Sequence, residues 1–219
     1  MTTPERQYRG RGVSERKAER RRRFLVAATQ VFAERGYTNT SLADICTAAR
    51  LSKRQFYEEF DTRECVLVAA YDQINDDAAA AVARALDALD PGVDPETGMT
   101  AVLSAYLESF GIDYFRAKLA FVEVVGVSDR MEKHRRERRL TWVPLLQRAI
   151  GRIAGMQAHF RADAALTAST FVGAVNGLTH EWLMMDPRPP VSELSDILVP
   201  VALSLITVAT ADGIDSILA

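Results

Sequence analysis

Only two cysteines, Cys46 and Cys65, and three histidines occur in 219 residues. Two thiols are too few for a disulfide scaffold and lack metal-ligand spacing. A reduced, cytoplasmic protein is therefore expected, with a Cys46–Cys65 redox pair as the lesser alternative. The histidines, His134, His159 and His180, fall on separate predicted helices or their ends and form no local triad pattern. No apolar run reaches the ~18 residues of a membrane span. The opening MTTPERQYRGRG lacks the apolar stretch of a secretion signal. Glycine-rich phosphate loops, G-x-S-x-G, H-E-x-x-H and paired-cysteine motifs are all missing. Neither an enzyme nor a cofactor or metal is expected. No segment alternates convincingly at period two, which argues against strands.

What is present is an ordinary globular composition, 48% hydrophobic and 26% charged. The net charge of -2 hides an asymmetry. Residues 1–63 hold 14 basic against 8 acidic side chains, a net +6, and residues 64–219 hold 13 against 21, a net -8. A basic N-terminal part on a larger acidic body predicts that the first meets a polyanion and the second does not. Charge alone leaves nucleic acid and an anionic membrane both open.

The chain reads as all-α. Ser14 is a candidate N-cap for a first helix with Phe24, Ala28, Val31 and Phe32 on one face, ended by Gly36. Ser41 to Asp44 and Ser52 to Gln55 are two capping boxes opening short helices. Such helices are too short to stand alone, so they must pack on the first through Phe24, Phe32, Ile45, Leu51, Phe56 and Phe60. A third cap at Asp61 to Glu64 opens a long helix to about Leu89, and DPGVDPETG is the clearest break. Further helices are predicted at about 97–110, 113–125, 128–156, 163–185 and 192–210. Pro144 and Pro200 should kink or divide two of them. The expected organisation is a basic arm at 1–13, a helix-turn-helix module at 14–63 and a larger helical domain at 64–219.

A short helix, a tight turn and a second short helix on a basic module is the layout that presents the second helix to a DNA major groove. The residues offered are Ser52, Lys53, Arg54 and Gln55, with Tyr57 one turn along. YTNTSLADICTAARLSKRQFYEEFDTREC moreover resembles the DNA-binding signature of the TetR family of bacterial regulators. Thr40, Ile45, Ala49, Leu51, Ser52, Phe56, Tyr57, Phe60 and Glu64 match in order and spacing over roughly residues 20–67. Arg50 departs from the usual turn glycine, Cys46 from an alanine, Glu59 from a His or Tyr, and Arg63 from a lysine.

The resemblance implies that Tyr57 reaches a phosphate; an exposed tyrosine packing locally is the plainer alternative. Lys53 and Arg54 suit guanine edges or phosphates, or simply a solvated turn. Gln55 suits adenine, or completes the cap on Ser52. Thr40 and Arg63 sit at helix N-termini, which favour phosphate. Arg50 would be strained if that position needs a positive φ, and it adds a candidate phosphate contact. The basic arm and Arg20 to Arg23 suit a minor groove, or a solubilising tail and a solvated face.

The resemblance also implies that the C-terminal part binds a small ligand and forms a homodimer. Aromatics available to a pocket are Tyr106, Phe110, Tyr114, Phe121, Trp142 and Phe171, unless they are plain core. Asn176 and His180 share a helix face and are candidate polar anchors, unless the histidine is structural. Ala168, Gly173, Ala174 and Gly177 permit close helix approach, across a two-fold axis or within one bundle. EKHRRERR, Glu132 to Arg139, reads as a solvated face. The leading expectation is a ligand-responsive regulator, a repressor of a palindromic double-stranded DNA operator, with a largely apolar effector and no membrane partner. A DNA-binding architectural or partner-controlled protein with a filled core is the alternative.

Overall fold

The computed structural model describes residues 12–111, 113–155, 158–210 and 213–215. Most of the predicted basic arm lies outside them. Helix α1 spans Val13–Arg35, α2 Leu42–Ala49, α3 Lys53–Tyr57, α4 Arg63–Ala88 and α5 Pro95–Gly111. Then follow α6 (Tyr114–Lys118), a π turn (Leu119–Glu123), α7 (Asp129–Thr141), α8 (Val143–Ile153), α9 (Ala164–Met184) and α10 (Ser192–Ser204).

The helix starts follow local chemistry. The Ser41 hydroxyl accepts from the Asp44 amide at 3.2 Å while Asp44 accepts from the Ser41 amide at 2.8 Å. Ser52 and Gln55 do the same at 3.2 and 2.9 Å. Two starts differ from expectation. Gly12, not Ser14, is the N-cap of α1, its amide donating to Glu15 at 3.2 Å. Thr62, not Asp61, caps α4, its hydroxyl accepting from the Cys65 amide at 3.1 Å. Gly36 ends α1 at φ +81°, where a side chain would be strained.

Pro144 divides the helix expected at 128–156: α8 restarts at Val143, with the proline where its missing N–H costs nothing. Pro200 stays inside α10. The expectation of no strands is corrected. Strands β1 (Ala158–Phe160), β2 (Ile206–Thr210) and β3 (Gly213–Asp215) form an antiparallel sheet, with Phe160 opposite Ile206 and Val208 opposite Asp215. The helix expected to run to 210 stops at Ser204 because Ile206 onward pairs with a segment some fifty residues upstream. Both cysteines are free thiols, Cys46 buried and Cys65 half-buried.

One contiguous apolar cluster runs from Phe24 and Phe56 through Leu67, Ile74 and Phe110 to Leu198 and Ile206. Each such fully buried side chain contributes about 1.5–3 kcal/mol. The first three helices close around Phe24, with Phe56 and Phe60 edge-on to its ring at centroid distances of 5.3 and 6.3 Å.

The arginines of α1 mostly pin this bundle. Arg20 pairs with Glu59 at 3.1 Å, a carboxylate whose side chain is only 1% exposed. Arg21 stacks over Phe60 at 4.5 Å, and Arg23 donates to the Ala49 and Arg50 carbonyls. Arg22 alone of the four points outward, paired with Glu19. Glu59, unusual for the family the module resembles, is thus matched by Arg20. Removing one partner of a buried pair costs about 3–5 kcal/mol. Arg20→Ala should therefore lower the thermal midpoint by several degrees, whereas Arg22→Ala should leave it unchanged; scanning calorimetry of the two variants checks this.

Candidate nucleic-acid interface and ligand cavity

The turn between α2 and α3 is built on Arg50, which adopts φ +53°, ψ +46°. A non-glycine residue there costs about 1–2 kcal/mol, so the side chain is retained against a backbone preference, and it is exposed. Beyond the turn, Ser52, Lys53, Arg54 and Tyr57 all face solvent. The Arg54 side chain is 91% exposed beside Glu58 at 3.5 Å, and Tyr57 is 60% exposed. Phe56, between them, is fully buried. The helix therefore separates a core edge from a polar edge within five residues. Gln55 is half-buried, and its side-chain oxygen serves the Ser52 cap.

Two expected phosphate ligands are placed otherwise. Thr40 is fully buried, its hydroxyl donating to the Gly36 carbonyl at 2.8 Å, because it closes the loop between α1 and α2. Its hydroxyl is thus committed to the fold. The Arg63 guanidinium donates to the Thr40 carbonyl and stacks over the Tyr37 ring at 4.2 Å. It clasps the start of α4 to that same loop. From the other side, the Tyr37 amide donates to Glu123 of the π turn at 3.1 Å. Ser128, which caps α7, also donates to Glu64 at 2.9 Å.

In the larger body, three small cavities lie end to end between the helices. The central one, about 50 Å³, is lined by Val82 of α4, Leu103 and Tyr106 of α5, Trp142, Leu146 of α8 and Phe171 of α9. A second, about 30 Å³, shares Tyr106 and Trp142 and adds Phe110, Phe121, Asn75, Arg139 and Asn176. A third, about 40 Å³, shares Leu103, Leu146 and Phe171 with the central one and continues to Phe160 and Ile206. Tyr106 and Trp142 meet edge-to-face at 5.3 Å and 86° in the wall common to the first two. Burial pushes the Tyr106 phenol well above its ordinary pKa, so toward an anion it is a hydrogen-bond donor.

Of the residues expected at a pocket, Tyr106, Phe110, Phe121, Trp142, Phe171 and Asn176 line these cavities. His180 lines none of the three. Tyr114 is 37% exposed under Arg188, whose guanidinium sits 4.4 Å from its ring. Sequence reasoning missed Asn75 and Arg139. Asn75 stands one helical turn after Tyr71 on the buried stripe of α4, a spacing that was available as a signal. Arg139 was hidden in the charge run, which is not simply solvated. His134 reaches Asp72 at 2.7 Å and Arg138 reaches Asp76 at 2.6 Å, docking α7 on α4.

Among the described residues no helix is long and apolar enough to cross a membrane. Residues 24–70 match the model of bacterial regulatory proteins of the tetR family. No curated protein sequence matches the chain significantly. Solved structures share its fold. The fatty acid degradation regulator FadR of Bacillus halodurans superposes with a TM-score of 0.73 at 18% identity, covering 89% of this chain and 96% of its own. FadR of Bacillus subtilis, in complex with stearoyl-CoA, gives 0.70 at 16% identity, with 83% and 96% covered. A TetR-like regulator of Rhodococcus sp. RHA1 gives 0.62 at 21% identity, with 84% and 93% covered. The match over residues 24–70 identifies that segment as similar to the DNA-binding part of the TetR family of bacterial regulatory proteins, carried on a fold shared with these solved regulators.

Proposed function

We infer that the protein is a ligand-responsive, DNA-binding transcriptional regulator: a homodimeric repressor that leaves a palindromic operator when a largely apolar small molecule enters the cavities. The observation that carries this reading is the α2–α3 unit. Its exposed edge gathers Arg50, Ser52, Lys53, Arg54 and Tyr57 while its other edge is sealed by Phe56. Arg50 supports it further, since a strained arginine at a solvent-facing turn has a use where phosphate lies opposite. Gln55 contributes to the cap, and Arg63 acts by clasping α4 to the bundle.

Dimerisation is supported by an unpartnered face on α9 and α10. Leu166, Met184 and Ile197 are each more than half exposed, and Gly173 and Gly177 face open space. A second copy packed there makes the four-helix arrangement in which small residues let backbones approach. The mechanism is a shift of populations. Operator binding needs recognition helices about 34–36 Å apart, and a ligand that prefers another spacing lowers affinity by its differential binding to the two states. Two connections carry the shift. Helix α4 runs from the Arg63 clasp to Asn75 and Val82 at the cavities, and the π turn joins Phe121 in a cavity wall to Glu123 on the Tyr37 amide. The stearoyl-CoA bound by the Bacillus subtilis FadR supports an effector with an apolar tail. The cavities are far smaller than the ~300 Å³ of an open ligand site, and this favours the alternative of a partner-controlled protein with a filled core. Stabilisation by a small molecule separates the two readings.

Selection from random duplex DNA at near-physiological salt should enrich a palindrome with two half-sites; absence of any enriched sequence would refute the regulator reading. On the selected site, Lys53→Ala should weaken binding and reduce the slope of log affinity against log salt by about 1 if it pairs with phosphate. Arg50→Gly should have opposite effects on two readouts. It relieves backbone strain of about 1 kcal/mol, raising the thermal midpoint by roughly 2–4 °C, and it loses DNA affinity. Gly177→Arg, on the open face of α9, should convert the dimer to a monomer of unchanged helical circular dichroism, read by sedimentation equilibrium.

A further inference from the structure

The second cavity differs in chemistry from the other two. The third is bounded by Met99, Leu103, Ile150, Phe171 and other apolar side chains. The second has Asn75, Asn176 and Arg139 in its wall. Arg139 is half-buried, and no carboxylate among the described residues lies within ion-pairing distance of it. The acids around it are already engaged. Glu132 holds Arg135 at 2.7 Å and the Gly126 amide at 2.9 Å. Asp72 holds His134, and Asp76 holds Arg138. Glu132 lies within electrostatic reach of Arg139 but is committed to Arg135 and the Gly126 amide, so this half-buried arginine in the cavity wall has no ion-pair partner of its own among the described residues. Asn75 already gives one amide hydrogen to the Tyr71 carbonyl at 2.8 Å, which fixes its side chain beside the site.

We propose that the effector is an anionic amphiphile with a compact carboxylate head. The head is received by Arg139 with Asn75 and Asn176, and the tail passes between Tyr106 and Trp142 into the apolar cavities. This rests on the ligand-responsive reading above and adds the chemical class. The order of the walls carries it: a cationic end, an aromatic constriction, then a purely apolar run toward Phe160 and Ile206. A neutral lipid leaves Arg139 unpaired, and a cation is repelled by it. A bulky polyanionic head does not fit a chamber of about 30 Å³ walled by Phe110, Phe121 and Trp142. A carboxylate also matches the two parallel donors of a guanidinium. Tail entry requires Tyr106 and Trp142 to part, so binding is coupled to movement of α5 against α8. Burial of an ion pair with hydrogen bonds makes Arg139 the specificity-determining residue rather than the source of most of the affinity.

The full-length protein would be titrated with the straight-chain carboxylates from hexanoate to hexadecanoate, below their micellar concentrations. The alcohol and the coenzyme A thioester of each length run alongside, with thermal shift and tryptophan fluorescence as readouts. At least one carboxylate should bind about tenfold or more tightly than its alcohol. Arg139→Gln should bring the acid down to the alcohol's affinity and leave the alcohol unchanged, Arg139→Lys should keep part of the preference, and Leu103→Trp should weaken acid and alcohol together. Equal binding of acid and alcohol, or a preference that survives in Arg139→Gln, overturns the head-group assignment while the ligand-responsive reading stands. Preference for the thioester, indifferent to Arg139→Gln, overturns it likewise. If no probe of any kind shifts the protein, both the assignment and the ligand-responsive reading fall, whereas the DNA selection stands independently of either.

Discussion

The clasp of Arg63 on the loop between α1 and α2 is the interaction on which the arrangement depends. Helices of eight and five residues do not persist alone in water. They hold position here because Phe56, Phe60 and Ile45 are buried against α1, and because the α1–α2 loop is fixed from two sides. Arg63 holds the Thr40 carbonyl and the Tyr37 ring, and Glu123 holds the Tyr37 amide. Thr40, fully buried, ties the loop to the end of α1. A loop anchored this way leaves the recognition helix little freedom of its own. Its orientation follows α4 and the π turn.

The distribution of arginine follows from the same constraint. A bundle of short helices has little apolar area to bury, and its outer edges are sealed by guanidinium groups that reach backbone carbonyls, a carboxylate and a phenyl face. Arg20, Arg21 and Arg23 do this from α1. Counting basic residues therefore overstates what the module offers a polyanion: exposed basic side chains remain at Arg50, Lys53 and Arg54, and on α1 at Arg16, Lys17 and Arg22.

How much of this was legible in the sequence depended on the range of the interaction. Ser41 and Ser52 announced their helices because a cap is satisfied within three residues. The burial of Phe24, Ile45, Phe56 and Phe60 followed from helical spacing. The N-cap of α4 differs from expectation by one residue, since Asp61 and Thr62 are both competent caps and only packing chooses. The strand at Ile206–Thr210 was invisible because its partner, Ala158–Phe160, is remote and each segment is short. Aromatics at helical spacing suit a pocket or plain core alike, and Tyr106, Phe110, Phe121, Trp142 and Phe171 stand in the cavity walls. Arg139 was not legible, because in a run of alternating charge nothing local distinguishes the arginine that lines a cavity from neighbours that pair with α4 or face solvent. The Thr40 bond to the Gly36 carbonyl was hidden for a related reason: a threonine at a helix start reads the same whether its hydroxyl meets phosphate or a carbonyl behind it.

The cavities and the clasp share two elements, and this limits how a signal can travel. Asn75 and Val82 lie on the same helix as Arg63, so a tail that displaces α4 carries the clasp with it. Phe121 and Glu123 lie two residues apart in a π turn, a rare single-turn geometry frequent at functional sites. On the proposed mechanism, expansion of the cavity beside Phe121 would act on this turn, and Glu123 would pass it to the Tyr37 amide. The two routes meet on one loop. A ligand that moved only α5 or α9 would fill the cavity without shifting that loop, and its binding energy would not appear as a change in DNA affinity. Effectiveness as a ligand and effectiveness as a signal are thus separate properties here, and the second depends on pressing against α4 or the π turn.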